Sequence, residues 1–542
     1  MRTKRFLAVI LVLGIIIPFC GCNKQAAIQV PVPEPAPAEL HPYGGHADIR
    51  IDGGKLLDPL NQTGYQNYQW TTMVFENALT RDLDNNIQPG VCNYTLSDDS
   101  RILTLWVRDG MRFHNGDPVD IYDVEASFNR SFNMYQSIKT KVVPFVKEMT
   151  LDEGDKTLTL VFSQYREEVL YYLASYRTWC PIMPKEICEQ YASSTITSKV
   201  ADCIGTGPYK VTDFKSNTYI KLARFEDYVV QHSDLTGFAG PKYAYLDTVT
   251  FWYEHSDNDA VKKFIAGEYD CVDCMSGEFA SKLDENGIST TICTTYNGWF
   301  VYFNTHGIHN VTAKYPSLRK AVMAAIDTEK LLSVLSHGQY STTKTPIMSS
   351  DYDTEAFVQA DYMGSPNIEL AAAYAEQAKA EGWNGSDPIC FVPFNDYLEA
   401  ETLIMENLRD AGIPVRLIEN EAAKATGWRR DIKNQWDLYV HNAVFAITPT
   451  LTQDVIINTY WQSVDKDSLL IKMKTMHPQD EAYMEKWEEL AQLWVNDCAV
   501  AYLGIENGTY YHPKTFHINE DPSASQRYWF NAYWDDPENH RQ

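Results

Sequence analysis

Positive charge is scarce in this sequence. Lys and Arg number 46 against 72 Asp and Glu, a formal net charge of −26. A nucleic-acid binder needs a basic face, and electrostatic membrane docking needs a polybasic patch; the charge excludes both. The acidic excess reads as a solvated surface that keeps the chain soluble, with a preference for cationic ligands as the sharper alternative. Beyond the N-terminus, no apolar run reaches the ~18 residues of a membrane-spanning helix. Catalytic signatures are missing too: there is no Gly-x-Ser-x-Gly elbow and no His-Glu-x-x-His. With 72 acidic residues chance pairs are inevitable, and no spacing singles out two for glycoside chemistry. Cys271-Val-Asp-Cys274 has no second pair at zinc-ribbon spacing. Gly205 and Gly207 are followed by neither a lysine nor a helix start, so a phosphate loop is excluded. The 13 histidines do not cluster; His306 and His309 are near neighbours, which alone is weak for metal. No cofactor, metal or nucleic acid is expected, and no internal repeat is apparent.

What is present begins with length. At 542 residues the chain is too long for one simple core, so two or three domains are expected. Aromatics reach 13%, with 34 Tyr and 13 Trp, enough for large cores and for an aromatic-lined cleft. Arg2, Lys4 and Arg5 precede a 14-residue apolar run, Phe6 to Phe19, suited to a signal peptide. The run ends in Phe19-Cys20-Gly21-Cys22, which resembles a bacterial lipobox. That implies a signal peptide over 1–21, lipidation of the Cys22 thiol, and a Pro- and Ala-rich tether over 22–44. An exported chain can keep disulfides. Cys188 and Cys203 are the best pair, closing a short ring worth ~3 kcal/mol, with Cys293 as an alternative partner for Cys271 or Cys274.

The stretch Arg101 to Arg130, RILTLWVRDGMRFHNGDPVDIYDVEASFNR, predicts strand, turn, strand, turn, helix. Ile102 to Val107 are β-formers, Asp109-Gly110 is a turn, MRFH is the second strand, and Asn115-Gly116 is the second turn. Asp120 is placed to cap the helix, with Asp123 in its first turn. Residues 202–214, DCIGTGPYKVTDF, read as a tight turn before a strand. After about Tyr296, strands and helices alternate, implying a sheet flanked by helices.

Five stretches, in this order, resemble the bacterial extracellular solute-binding proteins of family 5, the dipeptide, oligopeptide and nickel receptors of ABC importers. They are MVFENALTRDLDNNIQPGVC (73–92), WVRDGMRFHNGDPVDIYDVEASFNR (106–130), IGTGPYKV (204–211), YPSLRKAVMAAIDTEKLL (315–332) and NLRDAGIPVRL (407–417). The resemblance implies an α/β, two-lobe, periplasmic-binding-protein-like clamshell with an extra subdomain on lobe I. Lobe I would span 45–295 with the subdomain at about 82–200, lobe II 296–505, and 506–542 would return to lobe I. Chain crossings near 293–299 and 504–508 would form the hinge. The implied function is capture of a small peptide or other small solute by lobe closure, then delivery to an ABC permease and its ATPase subunits. The implied state is a monomer, lipid-anchored on the extracytoplasmic side, and not an enzyme.

Dipeptide binders of the family hold the ligand's amino group with a lobe-II aspartate after a strand, and its carboxylate with an arginine near an earlier strand. This sequence departs from both. Strand Leu438–Val440 is followed by HNAVFAITPT, and FVPF by Asn395-Asp396-Tyr397. A longer peptide held through its backbone, or a cationic or zwitterionic solute met by Asp396, fits better; Asp396 also reads as a helix cap. The expected ligand contacts are Tyr65, Trp70, Asn297, Trp299, Asp396, Tyr397, His441, Asn442 and Trp461. A secreted glycan hydrolase and a sensing receptor without transport are the alternatives.

Overall fold

The computed structural model describes residues 41–51, 53–61, 65–82, 86–175, 177, 180–231, 233–235, 237–273, 283, 288–306, 310–343, 345–347, 349–393, 397–418, 436–444, 448–452, 460–518 and 528–538. Cys22 and Asp396 lie outside them.

Alternating apolar residues build a first sheet in the order His46–Ile51, Thr248–Tyr253, Tyr219–Arg224, Tyr209–Lys215. Against it pack the helix Tyr65–Val74 and, from the far end of the chain, Tyr528, Trp529, Phe530 and Trp534. A second sheet is antiparallel, in the order Cys92–Leu96, Ile102–Val107, Thr157–Phe162, Val146–Asp152. It has its own core, which draws on Ala78 through Ile182.

The stretch 101–130 folds as predicted at its ends and differently in its middle. Ile102–Val107 is a strand, and Ile121–Met134 is a helix. Asp120 caps that helix by accepting from the N–H groups of Tyr122 and Asp123, while the Asp123 side chain accepts from the Asp120 N–H, a reciprocal capping box. MRFH is not a strand. Both edges of Ile102–Val107 are already occupied by Cys92–Leu96 and Thr157–Phe162. The segment instead closes on itself, through Phe113 N–H to Asp117 O and Val119 N–H to Met111 O, and buries Met111 and Phe113 in the second core.

His114, at the tip of that loop, binds it to the turn at Gly205–Gly207. Its Nδ1 accepts from the Gly205 N–H at 3.1 Å, and its Nε2 faces the Gly207 carbonyl at 3.0 Å. The ring is therefore neutral, with its proton on Nε2. Desolvation holds its pKa down at about 4, against a small upward pull from the Gly207 bond. His114→Ala leaves two packed backbone groups unmatched and is expected to lower stability by about 1–3 kcal/mol in urea unfolding. Ligand affinity should be unchanged; a tenfold loss with the fold intact would overturn this scaffold role. The folded pKa lies below the ordinary 6.5, so the contribution is complete above pH 6.5 and is lost as pH falls toward 4. Acid sensitivity over that window should shrink in the variant.

The third sheet runs Val272–Asp273, Val500–His512, Ser289–Phe303, Leu438–Val444, Ile389–Phe391, Val415–Leu417, with Tyr340–Ser341 added on Val500–His512. Around it pack helices including Pro316–Ala325, Thr328–Leu335 (capped by Asp327), Ile368–Ala380, Leu398–Asp410 and Glu481–Asp497. The strand expected to end at Val440 continues to Val444, because His441–Val444 pair with Asn297–Phe300 of the neighbouring strand. The Cys188–Cys203 bridge is corrected: both are buried free thiols. Cys188 Sγ sits 3.6 Å from Ser127 Oγ, and Cys203 Sγ donates to Leu57 O at 3.7 Å, so the two point to different neighbours.

Candidate functional site

Two strands run from the first core into the third. Ser289–Thr294 pair with Asn507–His512 beside Tyr510 of the first core, and Gly298–Tyr302 pair with Val500–Ile505 within the third. Their register breaks twice, between Thr294 and Gly298 and again between Trp299 and Phe300. At the first break, positions 295–297 pass the single residue Glu506. Such bulges bend a strand and re-aim its side chains.

Beside this crossing lies one edge of the third sheet. Ile389–Phe391, Val415–Leu417 and Leu438–Val444 run parallel, and ligand crevices form beyond the carboxyl ends of such strands. Three of the expected contacts come together there. Trp299 is buried, and its ring meets Tyr397 edge-on, with centroids 5.3 Å apart. Asn442 pairs with Trp299 across the strands, so both side chains share one face of the sheet. Asn297 is half-buried and pairs with Val444. His337, at the end of Thr328–Leu335, lies 5.9 Å from Tyr397.

The sequence did not single out Glu506. It is 3% exposed, on the same wall as Trp299 and Asn442. Burial pushes its carboxyl up to about 7, while Asn442 and Trp299 pull the other way. The signal was available in VAYLGIENGTYYH, where one acid interrupts a strand otherwise free of charged residues.

Other expected contacts fall elsewhere. Trp70 is fully enclosed in the first core against Phe75. Trp461 is enclosed in the third core and donates its indole N–H to Asp497 at 2.7 Å. A ring buried on all sides has no face left for a ligand, so these two are packing residues. His441 is exposed and stacks on Tyr439, on the sheet face opposite Asn442. Tyr65 opens the helix Tyr65–Val74, and its side chain lies outside the described residues, as does Asp396.

A second junction joins the second core to the third, away from the strand crossing. Thr450 Oγ1 donates to Glu167, at the start of the helix Glu167–Leu173. Glu168 pairs with Lys474 at 3.7 Å, and Tyr165 stacks on His477 with centroids 5.5 Å apart. Burial raises the Glu167 carboxyl, and hydrogen bonds from Thr450 and Thr448 oppose that.

Two α/β layers with separate cores, a subdomain on the first, and two strands passing through both define a two-lobed binding-protein fold. The model for the bacterial extracellular solute-binding proteins, family 5, matches residues 86–461, and the chain belongs to that family. The oligopeptide-binding protein OppA of Bacillus subtilis (strain 168) is 24% identical, over 64% of this chain and 61% of its own length. The oligopeptide-binding protein AppA of the same organism is 22% identical, over 94% and 96%. The crystal structure of the ABC transporter substrate-binding protein CtaP from Listeria monocytogenes superposes with a TM-score of 0.75, at 17% identity, covering 91% of this chain and all of that one.

Proposed function

We propose that the protein is the substrate-binding component of an ABC importer, capturing a peptide or a related small solute between its lobes. The observation that carries this reading is the pair of strands shared by two separate cores, with register breaks at the crossing. Bulged strands concentrate bending, so the crossing serves as the hinge. The junction of Glu167 with Thr450 and of Glu168 with Lys474 then joins the lobes on a second side. A ligand that touches both lobes stabilises the closed form by its differential affinity for it. The loaded protein would dock as a monomer on a permease with ATPase subunits. A lipid on Cys22 would hold it at the extracytoplasmic face of the membrane.

The test is a thermal-shift screen with peptide, amino-acid, sugar and metal panels, together with mass spectrometry of whatever denaturation releases from the purified protein. A true ligand at a hundred times its Kd stabilises by about 2.7 kcal/mol, a rise of several degrees. Peptides are expected to give that rise. If none does, and the protein instead turns over a glycoside, the importer reading is wrong.

A further inference from the structure

A small cavity lies between the first core and the second, away from the strand crossing. Phe75 and Phe238 on the first core, Leu79 of the second, and the charged residues Glu76, Arg108 and Lys242 line it. Its volume is about 30 Å³, room for roughly two waters and too little for a peptide. The charged lining is two cations and one anion. Glu76 is 7% exposed, and both its oxygens are engaged. Oε1 accepts from Lys242 at 2.6 Å and from Tyr228 at 3.0 Å, and Oε2 accepts from Thr206 at 3.2 Å. Burial pushes this carboxyl up, but Lys242, Arg108 and Tyr228 outweigh that and hold it below its usual value. Both cations therefore act on a single carboxylate, and one positive charge is left over.

That charge is on Arg108, which follows the strand Ile102–Val107. Its half-buried guanidinium donates to Met111 Sδ at 3.4 Å, a weak acceptor, and its enclosed Nε–H has no partner. Among the described residues it meets no carboxylate within ion-pair distance. A guanidinium shielded from water without a good acceptor is costly. Lys242, across the cavity's lining, has N–H groups beyond the one it gives to Glu76. Water in the cavity would offer acceptors alone; an anion would offer acceptors and the missing charge.

We propose that this cavity binds a small monovalent anion, of the size of chloride or formate, between Arg108 and Lys242, and that the ion ties the subdomain to the first core. The site is independent of which solute the lobes capture.

The test uses the full chain and Arg108→Gln, which removes the charge and keeps much of the side chain. Sodium chloride is titrated against sodium gluconate, an anion too large for the cavity, at fixed ionic strength. Chloride NMR linewidth reads binding and thermal melts read stability. The net charge of −26 keeps the background of other anion sites low. Wild type is expected to broaden the chloride line saturably, to lose that broadening to added formate, and to melt higher in chloride. In Arg108→Gln the chloride affinity should fall about tenfold or more, as loss of a charge-assisted hydrogen bond requires, and the melting temperature should stop following chloride. No saturable broadening in wild type, or broadening unchanged in Arg108→Gln, means general salt effects or an adventitious ion only and overturns the site. If Arg108→Gln does not fold, wild-type crystals grown in bromide decide. An anomalous peak between Arg108 and Lys242 supports the site, and water alone there overturns it.

Discussion

Arg130→Met is expected to destabilise the protein by about 3–5 kcal/mol, because it strands a buried carboxylate. Arg130 closes the stretch 101–130 and is 2% exposed on the helix Ile121–Met134. Its guanidinium donates to Asp58, to Tyr191 O at 3.0 Å and to Ser194 O at 3.3 Å. Asp58 is fully buried and also accepts from the Leu60 and Ile196 N–H groups at 3.0 and 2.9 Å. Methionine fills most of the volume but leaves the buried Asp58 side chain without the Arg130 guanidinium. Against a typical total of about 5–15 kcal/mol this is a large fraction. Urea unfolding of Arg130→Met, Asp58→Asn and the double variant forms the check. The double variant should recover part of the loss, since it removes the stranded charge. A loss below about 1 kcal/mol for Arg130→Met alone would contradict the pairing.

Gly205→Ala is expected to have a comparable effect for a steric reason. A Cβ at Gly205 would lie 2.1 Å from the Val74 carbonyl oxygen and 2.8 Å from Phe75 Cδ1. At Gly207 it would lie 2.4 Å from the Met73 carbonyl oxygen. The nearest obstacle at each position is a backbone carbonyl at the end of the helix Tyr65–Val74, which cannot rotate away. The turn must move, and it carries the Gly207 N–H bond to Val74 O and the His114 clamp with it. The expected loss is about 3 kcal/mol or more. Gly116→Ala is the contrast. Nothing lies within 4 Å of its Cβ position, and its φ of +90° is the only obstacle, so about 1–2 kcal/mol is expected. Thermal melts of the two variants side by side separate close approach from backbone strain; a milder effect at Gly205 than at Gly116 would refute the packing account.

These two predictions explain why some of the family-like stretches were easy to read. The end of 73–92's opening segment, the loop of 106–130 and the turn of 204–211 meet at one place. Glu76 accepts there from Thr206 at 3.2 Å and pairs with Lys242 at 2.6 Å. Backbone contact this close calls for the spelling Gly-Thr-Gly at 205–207. That spelling was legible, but its meaning is structural, and it lies apart from the crossing where Glu506 sits.

The candidate site was only partly legible. Trp299, Tyr397 and Asn442 read in the sequence as polar-edged residues on loops or strand ends, and the structure gathers them around one carboxyl. Trp70 and Trp461 read the same way in the sequence and are packed on all sides. Composition cannot separate the two groups, since a tryptophan's surroundings come from elements far away in sequence.

The sequence by itself determined the local structure: the Asp120 capping box, the Asp327 cap, the Asn115-Gly116 turn, the alternation of strands and helices, and the family the chain belongs to. Each depends on interactions within a few residues, or on a motif spelled in order. Only the tertiary structure decided what was made by distant segments meeting. MRFH could not pair because both strand edges were taken, Cys188 and Cys203 found separate neighbours, and Glu506 came to lie against Trp299 and Asn442. Those outcomes depend on which surfaces compete for the same partner, and that competition is settled only when the whole chain has packed.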